Sequence, residues 1–127
     1  MNHASILIVD DDEMIVYFFQ MILEEYGYDI STAFTGMEAI EQVKNKKIDL
    51  AILDYKLSDI LGDILAEKIL EINDQTHIMF VTGYSEAKDK ILRSNHSHHV
   101  VVKPIKEEVL IDTVEQALES TIELKVR

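Results

Sequence analysis

Four short segments carry residue types able to move a phosphoryl group or to hold a hard cation. Asp10, Asp11 and Asp12 stand together after one apolar run. Asp54 ends a second run, Thr82 a third, and Lys103 a fourth, directly before Pro104, the single proline. Carboxylates brought close repel one another, raise each other's pKa or recruit a cation. Oxygen donors suit Mg²⁺, which takes one or two carboxylates together with phosphate oxygens and water. A carboxylate can also act as a nucleophile. Phosphoryl transfer asks mainly for positioning and for neutralisation of the equatorial oxygens, which a cation, an ammonium and a hydroxyl can supply.

These residues act together only if the fold brings them together. Ser5 to Asp10 (SILIVD) reads as a strand buried on both faces. From Asp12 to Tyr26, apolar Met14, Ile15, Phe18, Phe19, Ile22 and Leu23 repeat at helical spacing and are expected in the core. Asp12 suits the N-cap of that helix, and Gly27 suits the position past its end. Tyr28 to Ala33 is a second strand. Thr35 and Glu38 form a capping-box pattern that opens a helix to about Asn45. Asp49 to Asp54 is a third strand, and Ile64 to Ile72 a helix after the break at Ser58 to Gly62. Ile78 to Thr82 is a fourth strand, with His77 in the loop before it. Ser85 caps a helix to about Arg93. Val100 to Lys103 is a fifth strand, and the last helix runs from Glu107 to about Thr121.

Alternation of this kind predicts an α/β fold with a doubly wound parallel sheet and helices on both faces. In a parallel sheet the carboxyl ends of all strands share one edge, where such folds place their functional crevice. The Asp10–Asp12 run, Asp54, Thr82 and Lys103 all fall on that edge.

Composition narrows the field. The 127 residues fit one domain, and an apolar share of 47% is ordinary for a globular protein. The chain has no cysteine, which removes disulfides, thiolate catalysis and cysteine-based zinc sites. No apolar run approaches the roughly 20 residues a membrane helix needs, and residues 1–5 lack the pattern of a signal peptide. A soluble intracellular protein is expected. A net charge of −12 repels nucleic-acid phosphates, so no direct binding of nucleic acid is expected. His96, His98 and His99 form a cluster whose spacing can serve a metal, but a polar loop is the expected reading.

The segments ILIVDDDE, ILDYKLSDILG, FVTGYS and VVVKPI, in this order and separation, resemble the receiver domain of two-component response regulators. The resemblance covers essentially the whole chain, 1–127, with a core of about 4–121. It implies a five-stranded flavodoxin-like sheet of order 2-1-3-4-5. It implies that Asp54 is the phosphoacceptor, and that Asp10, Asp11, Asp54 and the backbone carbonyl of Lys56 hold Mg²⁺, with Mn²⁺ as an alternative. By the same resemblance Thr82 contacts the phosphoryl group and Lys103 pairs first with the acids and then with the phosphoryl oxygens. It implies a cis Lys103–Pro104 bond, although only about 5–6% of X–Pro bonds are cis in folded proteins. Lys56 and Tyr84, two residues after Asp54 and Thr82, are expected to lengthen the life of the phosphorylated form.

The implied function is a cytoplasmic phosphorelay module. It accepts a phosphoryl group from a sensor histidine kinase or phosphotransfer protein and then switches binding to a downstream protein. It hydrolyses its own phosphoryl group slowly and is not a turnover enzyme. No output domain or membrane contact is expected in this chain. Several residues depart from the family pattern. Val100 replaces the usual Phe or Tyr, Ser58 the usual Pro, and Gly83 the common Ala, while Gly62 is retained. Ser97-His98-His99 stands where Gly-Ala is common, and the stretch from Thr82 to Lys103 is slightly shorter than usual. Two rivals remain: a receiver serving as a binding scaffold without phosphorylation, and a phosphatase with an aspartyl nucleophile. The phosphatase typically needs a second Asp two residues after the first, where this chain has Lys56. Flavin binding lacks a phosphate-cradling loop after the first strand.

Overall fold

The structure, a computed structural model, describes residues 4–83 and 98–126, with side chains described to residue 119. The helix expected from Ser85 to Arg93 lies outside these residues, as do Tyr84 and His96.

Five strands form one parallel sheet: β1 (Ser5–Val9), β2 (Asp29–Ala33), β3 (Leu50–Leu53), β4 (His77–Thr82) and β5 (His99–Val102). Their order is β2-β1-β3-β4-β5, the flavodoxin-like arrangement expected. Four helices are described: α1 (Glu13–Glu25), α2 (Gly36–Asn45), α3 (Gly62–Ile72) and α4 (Glu107–Val126). His77 is the first residue of β4 and not a loop residue, because it pairs in register with Leu50 of β3. The last helix continues past Thr121 to Val126.

The central strands are apolar through their middles, Ile6–Val9, Leu50–Leu53 and Ile78–Val81, because both faces are covered. Ala51 and Leu53 of β3 join Ala39 and Val43 of α2 and Leu65 and Ile69 of α3 in one buried cluster. Leu50 and Ile52 point the other way, to Val16, Phe19 and Leu23 of α1 and Leu110 and Val114 of α4. Alternate residues of one strand thus bind opposite helical layers, as a period of two requires.

The helix ends follow local chemistry. Asp12 caps α1 by accepting from the Met14 amide at 3.0 Å. Gly27 adopts φ 91° after the helix, where a side chain is disfavoured. Thr35 caps α2 through the Glu38 amide at 3.1 Å. Glu38 reaches one residue further back than a standard capping box, to the Phe34 amide at 2.6 Å. α3 starts at Gly62, two residues before the apolar spacing suggested, and its N-cap Leu61 provides no side-chain bond.

Met14 and Phe18 were expected in the core, but they lie on the solvent side of α1, together with Tyr17 and Met21. The reason is geometric. Val16, Phe19, Ile22 and Leu23 already fill the arc that faces the sheet, and positions 14, 17, 18 and 21 form a second stripe beside it. At the β2 edge, Gln42 donates to the Thr32 carbonyl at 3.4 Å. Lys46 lies 2.9 Å from the Ser31 hydroxyl and 3.5 Å from Asp29. Such polar cover discourages the docking of another strand.

Candidate functional site

The site begins with strand register. Val9 of β1 pairs with Leu53 of β3, so the residues that follow, Asp10 and Asp54, emerge side by side. The Asp54 amide donates to the Val9 carbonyl at 3.0 Å and fixes that juxtaposition. On the far side of β4, Thr82 pairs with Val102, and the Lys103 amide donates to the Thr82 carbonyl at 2.7 Å. The Lys103–Pro104 peptide is cis.

Lys103 then reaches back over the strand ends. Its ammonium lies 2.8 Å from Asp10 Oδ2 and 3.6 Å from Asp54 Oδ1. The other oxygen of Asp10 accepts from the Asp12 amide at 2.9 Å, so both carboxylate oxygens are engaged. Asp10 and Asp54 are buried, at 4% and 8% exposure, and Asp11 stands exposed at the mouth.

Burial pushes the Asp54 carboxyl up to about 6, with the charge of Asp10 adding to the rise. Lys103, Asp11 and the Lys56 amide act more weakly; Lys103 and the amide oppose the rise, and Asp11 adds to it. Burial alone would lower the Lys103 ammonium, but its bond to Asp10 and the charges of Asp10 and Asp54 hold it above its ordinary value.

Asp10, Asp11 and Asp54 each offer one carboxylate oxygen, all within 4.8 Å of one another, and they form the one such cluster among the described residues. A set of hard oxygen donors crowded into one pocket fits a divalent cation of the Mg²⁺ type. His96 lies outside the described residues; within them, His98 and His99 join no such cluster, and His98 packs its ring against Phe80 with centroids 5.8 Å apart. Burial, and then the charge of His99, hold the His77 imidazole below its ordinary value.

The remaining expected residues fall around this pocket. Thr82 is buried at the end of β4. The Lys56 amide bonds to Asp54, while its side chain is exposed. Tyr84 lies outside the described residues. Two features escaped the sequence. An apolar groove of about 430 Å³, lined by Ile15, Phe18, Phe19, Lys103, Pro104 and Ile105, adjoins the pocket. Asp59 accepts from the Gly36 and Met37 amides at 2.9 and 3.0 Å, tying the loop after Asp54 to α2. The groove requires knowing which side of α1 faces out, and the Asp59 bonds join residues 22 and 23 positions apart.

Known proteins resemble this chain in sequence and in fold. The family model described as "Response regulator receiver domain" matches residues 6–115. The transcriptional regulatory protein YvrH of Bacillus subtilis is 40% identical over 92 residues, 72% of this chain and 38% of that protein. The transcriptional regulatory protein ZraR of Salmonella typhimurium is 29% identical over 121 residues, 94% of this chain and 27% of that protein. The chain therefore spans well under half the length of these relatives. A CheY-like response regulator receiver domain protein from Methanospirillum hungatei superimposes with TM-score 0.88 at 29% identity, covering 96% of this chain and 98% of that one. Fold, strand-end acids and family match agree, and the chain belongs to the response regulator receiver domain family.

Proposed function

We propose that this chain is a phosphoacceptor, receiving a phosphoryl group on Asp54 from a phosphohistidine of a sensor histidine kinase or phosphotransfer protein. The observation that carries the reading is the setting of Asp54: a buried carboxylate between two acids able to share a cation and one ammonium. A carboxylate oxygen of Asp54 attacks phosphorus, the phosphorus–nitrogen bond breaks, and the imidazole leaves with the electron pair. Asp10, Asp11, Asp54 and the Lys56 carbonyl would hold Mg²⁺ or Mn²⁺, which supplies charge neutralisation for the transferred oxygens. Lys103 exchanges its bond to Asp10 for one to the phosphoryl group, and the Thr82 hydroxyl donates another. Later attack by water returns the carboxylate, so the chain serves as a timed switch and not as a turnover enzyme.

The donor protein approaches over the strand ends. The exposed stripe Met14, Tyr17, Phe18 and Met21 and the groove beside Lys103 offer it an apolar landing surface. The downstream partner is a protein. With a net charge of −12, this chain does not itself grip nucleic acid. No helix of the described residues is long and apolar enough to cross a membrane, and the family resemblance supports action in the cytoplasm.

Mass spectrometry after exposure to acetyl phosphate and Mg²⁺ tests the reading. Wild type should gain one phosphoryl group, while Asp54→Ala, Asp11→Ala and EDTA-treated protein should gain none. An unlabelled wild type would leave the scaffold reading in its place.

A further inference from the structure

We propose that Asp59 is a positioning residue, which holds the Lys56 peptide against Asp54 by anchoring the intervening loop to the first turn of α2. Its value to phosphorylation rests on the function proposed above.

The loop from Asp54 to Gly62 is closed at its base. The Gly62 amide donates to the Tyr55 carbonyl at 2.5 Å, and Lys56 forms an isolated antiparallel bridge with Leu61. Leu57 is buried beneath, while Ser58 and Asp59 are exposed at the tip. Ile60 packs against the core behind the tip, but Ser58 and Asp59 bring no apolar side chain of their own. The carboxylate of Asp59 holds this turn by accepting two bonds, one at each oxygen, from the amides of Gly36 and Met37.

Those amides would otherwise be orphaned, because the first turn of a helix has no internal acceptors for them. Thr35 takes only the Glu38 amide. Asp59 completes the cap from outside the helix, and its negative charge matches the positive helix end. The bonds to Gly36 and Met37 keep the Asp59 carboxyl below the ordinary carboxylate range, although the group is exposed. Gly36 permits the close approach, since a Cβ there would collide with Ile60 Cγ2.

The other end of the loop carries the chemistry. The Lys56 amide bonds to Asp54, and the Lys56 carbonyl belongs to the same short segment. A tip held only by the base bridge and by the apolar contacts of Leu57 and Ile60 would let that peptide tilt, because none of these fixes the exposed turn. Asp59 adds a polar attachment to α2, three residues from Lys56.

The test compares Asp59→Ala, Asp59→Asn and Thr35→Ala with wild type in two measurements. The first is hydrogen exchange of residues 55–62 in metal-free protein. The second is Mg²⁺ affinity by calorimetry. Thr35→Ala weakens the same helix end without touching the loop. Asp59→Ala should speed exchange across 55–62 and lower Mg²⁺ affinity about tenfold, as loss of a group that orients a ligand does. Asp59→Asn, which keeps one acceptor, should recover part of both. Thr35→Ala should leave both near wild type. Equal loss in Thr35→Ala and Asp59→Ala, or wild-type behaviour of Asp59→Ala, overturns the proposal. A wild type that binds no Mg²⁺ overturns the functional reading instead, and the exchange arm still decides whether Asp59 anchors the loop.

Discussion

The ammonium of Lys103 is committed to Asp10, at 2.8 Å, and stands off from Asp54, at 3.6 Å. Burial, and then the charge of Asp10, push the Asp54 carboxyl up to about 6, and Lys103, standing off at the longer distance, opposes that rise only in part.

That arrangement makes stability depend on pH. An unfolded Asp titrates near 3.8, so the folded state holds this proton more tightly. The contribution to stability is fully present below about 4 and is lost as pH rises through about 6. Asp54→Asn removes the buried charge. It should be more stable than wild type by about 1–3 kcal/mol at pH 8 without metal, with the gap closing toward pH 4. Lys103 lowers the Asp54 value, so Lys103→Met should move the transition to higher pH. Urea unfolding at several pH values measures both, and a gap that is equal at pH 4 and pH 8 contradicts the assignment.

Activation should proceed without an aromatic rotation in β5. Val100 is half-buried against the cluster that contains Phe80, and a β-branched side chain is stiff at its first torsion. Amide spectra of free and beryllofluoride-bound protein should show large changes at Thr82 and Gly83 and small ones at Val100. The reverse pattern would mean that β5 carries the change.

The phosphorylated form should be long-lived. The Lys56 backbone is held at the rim of the pocket by its bond to Asp54 and its bridge to Leu61, and shielding requires its long side chain to lie near the path of an attacking water. Each ~1.4 kcal/mol of added barrier slows hydrolysis about tenfold. Lys56→Ala and Tyr84→Ala should each speed loss of phosphate by a few fold, on the order of 1 kcal/mol of barrier. Decay curves after donor removal decide this, and unchanged rates in both variants refute shielding.

Docking of the donor should depend on α1. Phe18 is 43% exposed and lines the groove beside Lys103. Phe18→Asp should lower the rate of transfer from a phosphohistidine protein, relative to the rate from acetyl phosphate, by about tenfold, the scale of losing one aromatic anchor. An unchanged ratio of the two rates places docking elsewhere.

Much of this was legible in the sequence. Strands buried on both faces leave continuous apolar runs, so β1, β3 and β4 read directly from SILIV, LAIL and IMFVT. Asp12 and Thr35 are caps written in local spacing. The strand-end acids, with Thr82 and Lys103, could be aligned because a parallel sheet sends every carboxyl end to one edge. What escaped the sequence was set by tertiary geometry. Met14 and Phe18 have the same apolar character as Phe19, and only the packing of α1 decides which of them faces water. Leu61 opens α3 without a capping side chain, so no residue type marked that start. Asp59 resembles any loop acid until α2 is placed against it.

Gly62 has no side chain to offer, yet its position is bound up with the site. A Cβ added there would lie 2.6 Å from the Asp54 carbonyl oxygen and 2.7 Å from Tyr55 Cα. Those are backbone atoms, so the crowding cannot be relieved by a side chain turning aside. Any replacement, even alanine, must displace the main chain that presents Asp54. In mutational terms the site thus extends to a residue that touches no phosphate and no metal. A screen for lost phosphorylation would find Gly62 beside Asp54 and Lys103, with nothing in its own chemistry to explain why.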